Sequence, residues 1–112
     1  IDSITADQLA TIMTADKNIN LLDVRKQSEC DSEHVENAEN APLDYLNDSL
    51  LKVDKNKKYF VHCASGYRSM IFVSTLKARG YDNLIDVKRG FKAIKDSNKI
   101  NTTDFVCPTT LL

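Results

Sequence analysis

Short apolar runs alternate with amphipathic stretches along this chain, and that alternation sets the expected architecture. Leu9, Ile12 and Met13 recur at helical spacing behind Thr5-Ala6-Asp7-Gln8, a capping box that predicts a short first helix. Asn20-Leu21-Leu22-Asp23-Val24 reads as a buried strand that delivers Asp23 and Arg25 to its carboxyl end. Residues 26–39 are polar, with a helical turn predicted over Ser28 to Glu33 and with His34, Val35 and Ala38 as the buriable positions. Asp44 is a good N-cap for a helix carrying Tyr45, Leu46, Leu50 and Leu51, and a charged turn, Asp54 to Lys58, precedes a core strand through Tyr59-Phe60-Val61. From about Tyr67, the residues Met70, Val73, Leu76 and Ala78 give one face of a helix that Gly80 ends in a left-handed conformation. Leu84-Ile85-Asp86-Val87 is a further strand, and Phe91, Ala93 and Ile94 line one side of the segment after Lys88-Arg89-Gly90.

Strands separated by helical crossovers imply an α/β domain with a mainly parallel central sheet of about five short strands flanked by helices. The chain has 112 residues and is 42% hydrophobic, which suits one compact domain. Residues 1–96 are expected to form that domain. Residues 97–112 are expected to be an irregular tail packing through Phe105 and Val106, in a chain that is a fragment of something longer. A net charge of −1, from 15 basic and 16 acidic residues interspersed, gives no field to attract nucleic acid or anionic lipid. No apolar run approaches the roughly 18 residues of a membrane span. Cys30, Cys63 and Cys107 are odd in number and irregularly spaced, against both a disulfide framework and a metal site, and they suit a reducing, cytoplasmic setting.

The chemistry centres on Tyr59 to Met70, where an apolar strand runs into His62-Cys63 and then a tight turn through Ala64, Ser65 and Gly66. The turn hands over to the helix from Tyr67. A thiol where a loop meets a helix N-terminus faces unpaired N–H groups and the positive end of the helix dipole, which favour its ionised, nucleophilic form. Arg68 adds a fixed positive charge. In open α/β sheets, sites form at the carboxyl ends of strands, where Asp23 with Arg25, His62 with Cys63, and Lys88 with Arg89 offer polar groups. A cysteine loop edged by cations implies a small anionic or polarisable substrate.

These residues resemble a rhodanese domain. The match rests on Leu22-Asp23-Val24-Arg25, Glu29, His34-Val35 ahead of Ala38, Cys63-Ala64-Ser65-Gly66-Tyr67-Arg68-Ser69, Gly80-Tyr81, Leu84 and Gly90-Phe91, from about Thr5 to Ile94. The resemblance implies a sulfurtransferase. Cys63 would take a sulfane sulfur from thiosulfate or a low-molecular-weight persulfide and pass it to a thiol or cyanide, through a covalent persulfide with no separate cofactor. The backbone of Ala64 to Ser69 would cradle that persulfide, with Asp23, Arg25 and His62 in support. Arg68 either binds the donor anion or holds the loop by pairing with a carboxylate, for which Asp23 is available. His34 is architectural by the same resemblance. A fused or separate sulfur-metabolism domain is the implied partner.

Two other functions use the same residues. A rhodanese-like domain can serve as a non-catalytic interaction or regulatory module, although the complete loop points to catalysis. Phosphatase or arsenate reductase chemistry needs a wider cradle, because only Ala64, Ser65, Gly66 and Tyr67 separate Cys63 from Arg68, one residue fewer than in phosphatases of this fold. The sequence also departs from the family pattern. Glu33 and Asn37 stand where glycines are usual, Arg89-Gly90 replaces a glycine pair, and Phe91 replaces a common Trp. Arg89 thus places a bulky cation at the expected pocket edge. Cys30 and Cys107 are read as inert thiols.

Overall fold

The computed structural model describes residues 3–16 and 18–103. Its strands are β1 (Ser3–Ile4), β2 (Asn20–Asp23), β3 (Ala38–Asn40), β4 (Tyr59–His62) and β5 (Leu84–Val87). Its α-helices are α1 (Ala6–Ala15), α2 (Gln27–Ser32), α3 (Leu46–Leu50), α4 (Tyr67–Ala78) and α5 (Gly90–Ser97). The five strands form one sheet in the order β1-β5-β4-β2-β3, and every neighbouring pair is parallel. Parallel strands need crossovers, and the crossovers cover both faces, so the central strands are apolar throughout rather than alternating. Leu22 and Val61 point to one side, into Phe72, Val73 and Leu76 of α4 and Leu46 and Leu50 beside them. Leu21 and Phe60 point to the other, into Leu9 and Ala10 of α1 and Phe91 and Ile94 of α5. No helix among the described residues is long and apolar enough to cross a membrane.

The helix ends follow the local chemistry of the sequence. Thr5 Oγ1 accepts from the Gln8 amide at 3.2 Å, and the Gln8 side chain accepts from the Thr5 amide at 2.9 Å, completing the capping box. At the far end of α4, Gly80 adopts φ +91°, its amide donates to Lys77, and the Tyr81 amide donates back to Leu76 at 2.9 Å. That pair of bonds stops the helix where the glycine stands.

Several expectations need correction. Asp44 does not cap a helix: it lies inside a 3-10 turn, Leu43–Tyr45, and α3 follows from Leu46 without a side-chain cap. Leu51 is 87% exposed rather than on a buried face. On α4, Val73 and Leu76 are buried as expected, but Ser69 and Phe72 complete the buried face in place of Met70 and Ala78; Met70 is 49% exposed. This brings the Ser69 hydroxyl inward at the start of the helix. β1 and β3 carry no strand-like apolar pattern, since each is an edge strand recruited by backbone pairing to β5 and β2. The chain does not turn irregular at Asp96. α5 continues to Ser97, Ile100 is buried with the α1 and α5 core, and Thr102 pairs with Val35. Phe105, Val106 and Cys107 lie outside the described residues.

Phe72 is fully buried between α4 and the sheet. Phe72→Ala is expected to destabilise the fold by roughly 3–5 kcal/mol, read from the urea midpoint at unchanged slope.

Candidate functional site: the Cys63 loop

β4 is buried at all four positions and ends against Cys63, whose side chain is only 1% exposed. Gly66 then takes φ +102°, which an L side chain rarely adopts, and the chain doubles back so that the Gly66 amide donates to Cys63 Sγ at 3.0 Å. The Cys63 thiol in turn donates to Ser69 Oγ at 3.5 Å, one turn into α4. The carbonyls of the loop face the opposite way. Phe91 donates its amide to the Cys63 carbonyl at 2.6 Å, and Lys92 donates to the Ala64 carbonyl at 3.2 Å. Gly90 sits so close beneath them that a Cβ there would lie 2.2 Å from the Cys63 oxygen. A Cβ on Gly66 would meet the Arg89 amide nitrogen at 3.0 Å. The start of α5 is therefore a bed for the loop's carbonyls, on the side away from the Gly66 amide that faces the sulfur. Ser65 and Tyr67 stay exposed at the rim.

The supporting charges pair among themselves. Asp23 ends β2, and its carboxylate accepts from Arg25 Nη2 at 2.7 Å and from Nε at 3.0 Å. Arg25 Nη2 also donates to the Glu33 carbonyl at 2.6 Å, and its guanidinium lies 4.3 Å from the centre of the Phe91 ring. Burial alone would raise the Asp23 carboxyl, but the Arg25 hydrogen bonds and charge outweigh it and hold it below its ordinary value. Asp23 and Arg25 thus brace the strand end and do not contact the sulfur.

Arg68 does not pair with Asp23. It forms a two-pronged ion pair with Glu29 of α2, Nη1 to Oε1 at 2.7 Å and Nη2 to Oε2 at 3.1 Å. The Arg68 hydrogen bonds lower the Glu29 carboxyl, and Glu29 raises the guanidinium in return. The arginine ties the first turn of α4 to α2.

His62 is fully buried and stacks on Phe91 with ring centres 6.0 Å apart. Burial keeps its imidazole below the ordinary value against the opposing pull of Asp23, whose Oδ2 lies 3.9 Å from Nε2. Its Nδ1 lies 3.2 Å from the Cys63 carbonyl. Nδ1 thus addresses the backbone, and Nε2, buried without a hydrogen-bond partner among the described residues, faces Asp23 across that gap. His34 is architectural in its contacts too, its Nδ1 lying 2.7 Å from the Cys30 carbonyl. Burial and the charge of Asp23 push the Cys30 thiol up to about 12, so it stays protonated.

Asp86 is the residue that sequence reasoning passed over. Its strand places it in register with Val61, two residues before Cys63, and its Oδ1 accepts from Ser69 Oγ at 2.5 Å. The single Ser69 proton is thus directed at Asp86, and an oxygen lone pair is left to face Cys63 Sγ. The available signal was one carboxylate inside the apolar run Leu84-Ile85-Asp86-Val87. Glu29 was visible as a motif position, but its partnership with Arg68 spans two elements and needed the fold.

Such an arrangement, a parallel α/β sheet presenting a buried cysteine at a strand end with the Gly66 amide and the Ser69 hydroxyl against its sulfur, defines a class of cysteine-loop domains. The match to the Rhodanese-like domain family covers residues 5–97, and the chain belongs to that family. A rhodanese-like domain protein of Staphylococcus aureus superposes with a TM-score of 0.78 at 34% identity, covering 84% of this chain and 91% of that one. A candidate sulfur carrier protein of Bacillus subtilis, YrkF, is 26% identical over 92 residues, 82% of this chain and 50% of its own length. A tRNA sulfurtransferase of Thermoplasma acidophilum is 30% identical over 92 residues, 79% of this chain and 18% of its own. The chain thus spans half of the first of these two relatives and under a fifth of the second.

Removing one partner of the buried Asp23–Arg25 pair strands a charge, so Asp23→Ala is expected to cost roughly 3–5 kcal/mol by urea titration. Asp86 gives a pH signature of opposite kind. Burial, offset in part by Ser69 and Lys88, raises its carboxyl above the ordinary 3.8. The native protein therefore holds this proton more tightly than the unfolded chain. The resulting stability is complete below 3.8 and is lost as pH rises through the native value. The Tm of Asp86→Asn minus that of the parent should accordingly increase between about pH 3 and pH 7, followed by calorimetry.

Proposed function

We propose that this domain is a sulfurtransferase that carries sulfane sulfur as a persulfide on Cys63. The observation that supports this most directly is the Gly66 amide 3.0 Å from Cys63 Sγ, in a loop whose Cys63 and Ala64 carbonyls are taken by the start of α5. A backbone N–H held against the sulfur in this way stabilises its negatively charged form without a dedicated acid or base. Family membership and relatives named for sulfur carriage and tRNA sulfur transfer point the same way.

The Cys63 thiolate attacks the outer sulfur of the donor, thiosulfate or a persulfide. A bond forms between Cys63 Sγ and that sulfur, the donor's own bond to it breaks, and sulfite or a thiolate departs with the electron pair. In the second half, an acceptor thiolate or cyanide attacks the outer sulfur of the persulfide, and Cys63 leaves as thiolate. Ala64, Ser65, Gly66, Tyr67 and Ser69 form the cradle and its rim. Arg68 serves by fixing the helix start to Glu29 rather than by gripping a substrate, which also counts against phosphate transfer, where a free arginine would clamp the anion. Asp23, Arg25 and His62 hold the strand ends in register.

The free thiols of Cys30 and Cys63 suit a reducing cytoplasm. A sulfur-metabolising domain in the same or a partner chain is the proposed acceptor. With thiosulfate and cyanide the protein should release thiocyanate, and intact mass should show one added sulfur atom on the Cys63 peptide. Both are expected to vanish in Cys63→Ala. Absence of thiocyanate, together with no added sulfur from thiosulfate or from a persulfide donor, would sink the proposal.

A further inference from the structure

A half-open cleft of about 590 Å3 runs beside the cysteine loop. Ser65, the exposed residue two beyond Cys63, forms part of its wall, and Lys88, Arg89 and Lys92 form another part. That wall is fastened to the loop, because the Lys92 amide holds the Ala64 carbonyl and the Arg89 amide packs under Gly66. None of the three cations makes an ion pair among the described residues. Two carboxylates also line the cleft, Asp7 and Asp96, and Asp7 is already engaged by Lys99 at 3.4 Å. The three cations therefore outnumber the one carboxylate of the lining, Asp96, that has no ion-pair partner among the described residues.

Arg89 adds an independent observation. Its backbone is left-handed, φ 63° and ψ 1°, a conformation free for glycine and disfavoured by about 1–2 kcal/mol for a residue with a Cβ. The turn into α5 needs that geometry, and the chain nevertheless spends it on a long cationic side chain. Strain retained beside a site points to a task for the side chain.

We propose that Lys88, Arg89 and Lys92 bind the anionic tail of a small thiol or persulfide bearing two or more carboxylate or phosphate groups, with its sulfur end directed past Ser65 toward Cys63. Naming the ligand as a thiol rests on the sulfur-transfer reading above; the anion site itself does not. A pocket within the roughly 300–1,000 Å3 range suits a ligand of drug-like size and is several times larger than thiosulfate requires. The same cations that attract the tail would speed encounter at low ionic strength.

The test uses two unreactive thioethers, S-methylglutathione for carboxylates and S-methyl coenzyme A for phosphates, titrated into the full chain and followed by calorimetry and amide chemical shifts. At least one should bind with shifts concentrated at Ser65, Arg89 and Lys92, weakening as salt is raised. Arg89→Gly keeps the left-handed turn and is expected to fold with an equal or higher Tm, yet to bind the probe at least ten-fold more weakly. Lys92→Gln should weaken it in the same direction. If neither thioether binds, or if Arg89→Gly binds as tightly as the parent, the proposal is overturned. The two readings fail separately. Binding at these amides by a protein whose Cys63 accepts no sulfur would uphold the anion site and remove the transferase. Sulfur loading from thiosulfate with neither thioether bound would do the reverse.

Discussion

A loop that closes a buried strand must satisfy its backbone groups inside the protein, and this necessity organises the site. The Cys63 and Ala64 carbonyls cannot reach water easily and are taken by the first amides of α5. With those carbonyls turned that way, the Gly66 amide is left facing the sulfur. The contact leaves no volume at Gly90 for even one more carbon. Polarity at the cysteine is thus a by-product of where the next helix begins, and a neutral backbone supplies what a charged side chain supplies in other cysteine enzymes.

Two of the arginines that border the loop are spent on holding elements together. Arg25 locks onto Asp23 and covers Phe91; Arg68 locks onto Glu29. Both arginines use a planar fork against a carboxylate, geometry that a lysine could not reproduce. His62 contributes shape, filling the space between β4 and Phe91 as a neutral ring. The site therefore separates two jobs that many enzymes combine, with rigid ion pairs outside and an uncharged nest at the centre.

What the sequence revealed tracks how local each feature is. The strand, cysteine turn and helix from Tyr59 to Ala78 are contiguous, so their residue types alone disclosed them, and the left-handed Gly80 follows from the same stretch. β3 stayed hidden because Ala38-Glu39-Asn40 has no pattern of its own and becomes a strand only by pairing with β2. The inward face of α4 was right at Val73 and Leu76 but missed Ser69, because Met70 looks more buriable than a serine whose partner Asp86 lies on another strand. Among the family departures, Glu33 is extended at φ −165°, which any residue adopts, whereas Arg89 takes the left-handed turn in place of a glycine. Asn37, the expected host of such a turn, does not share it. No pattern within a single stretch could have assigned Arg68 to Glu29 rather than Asp23.

The strand order also governs when the site comes into being. β1, made first, pairs with β5, near the end of the described chain, so the sheet closes only after most of the residues exist. The bed for the cysteine loop follows β5 directly and emerges from the ribosome after the cysteine itself. Pairings this distant along the chain are slow to find because loop closure must precede them. During synthesis Cys63 consequently waits on an unfinished sheet, and its surroundings arrive with α5, the last helix among the described residues.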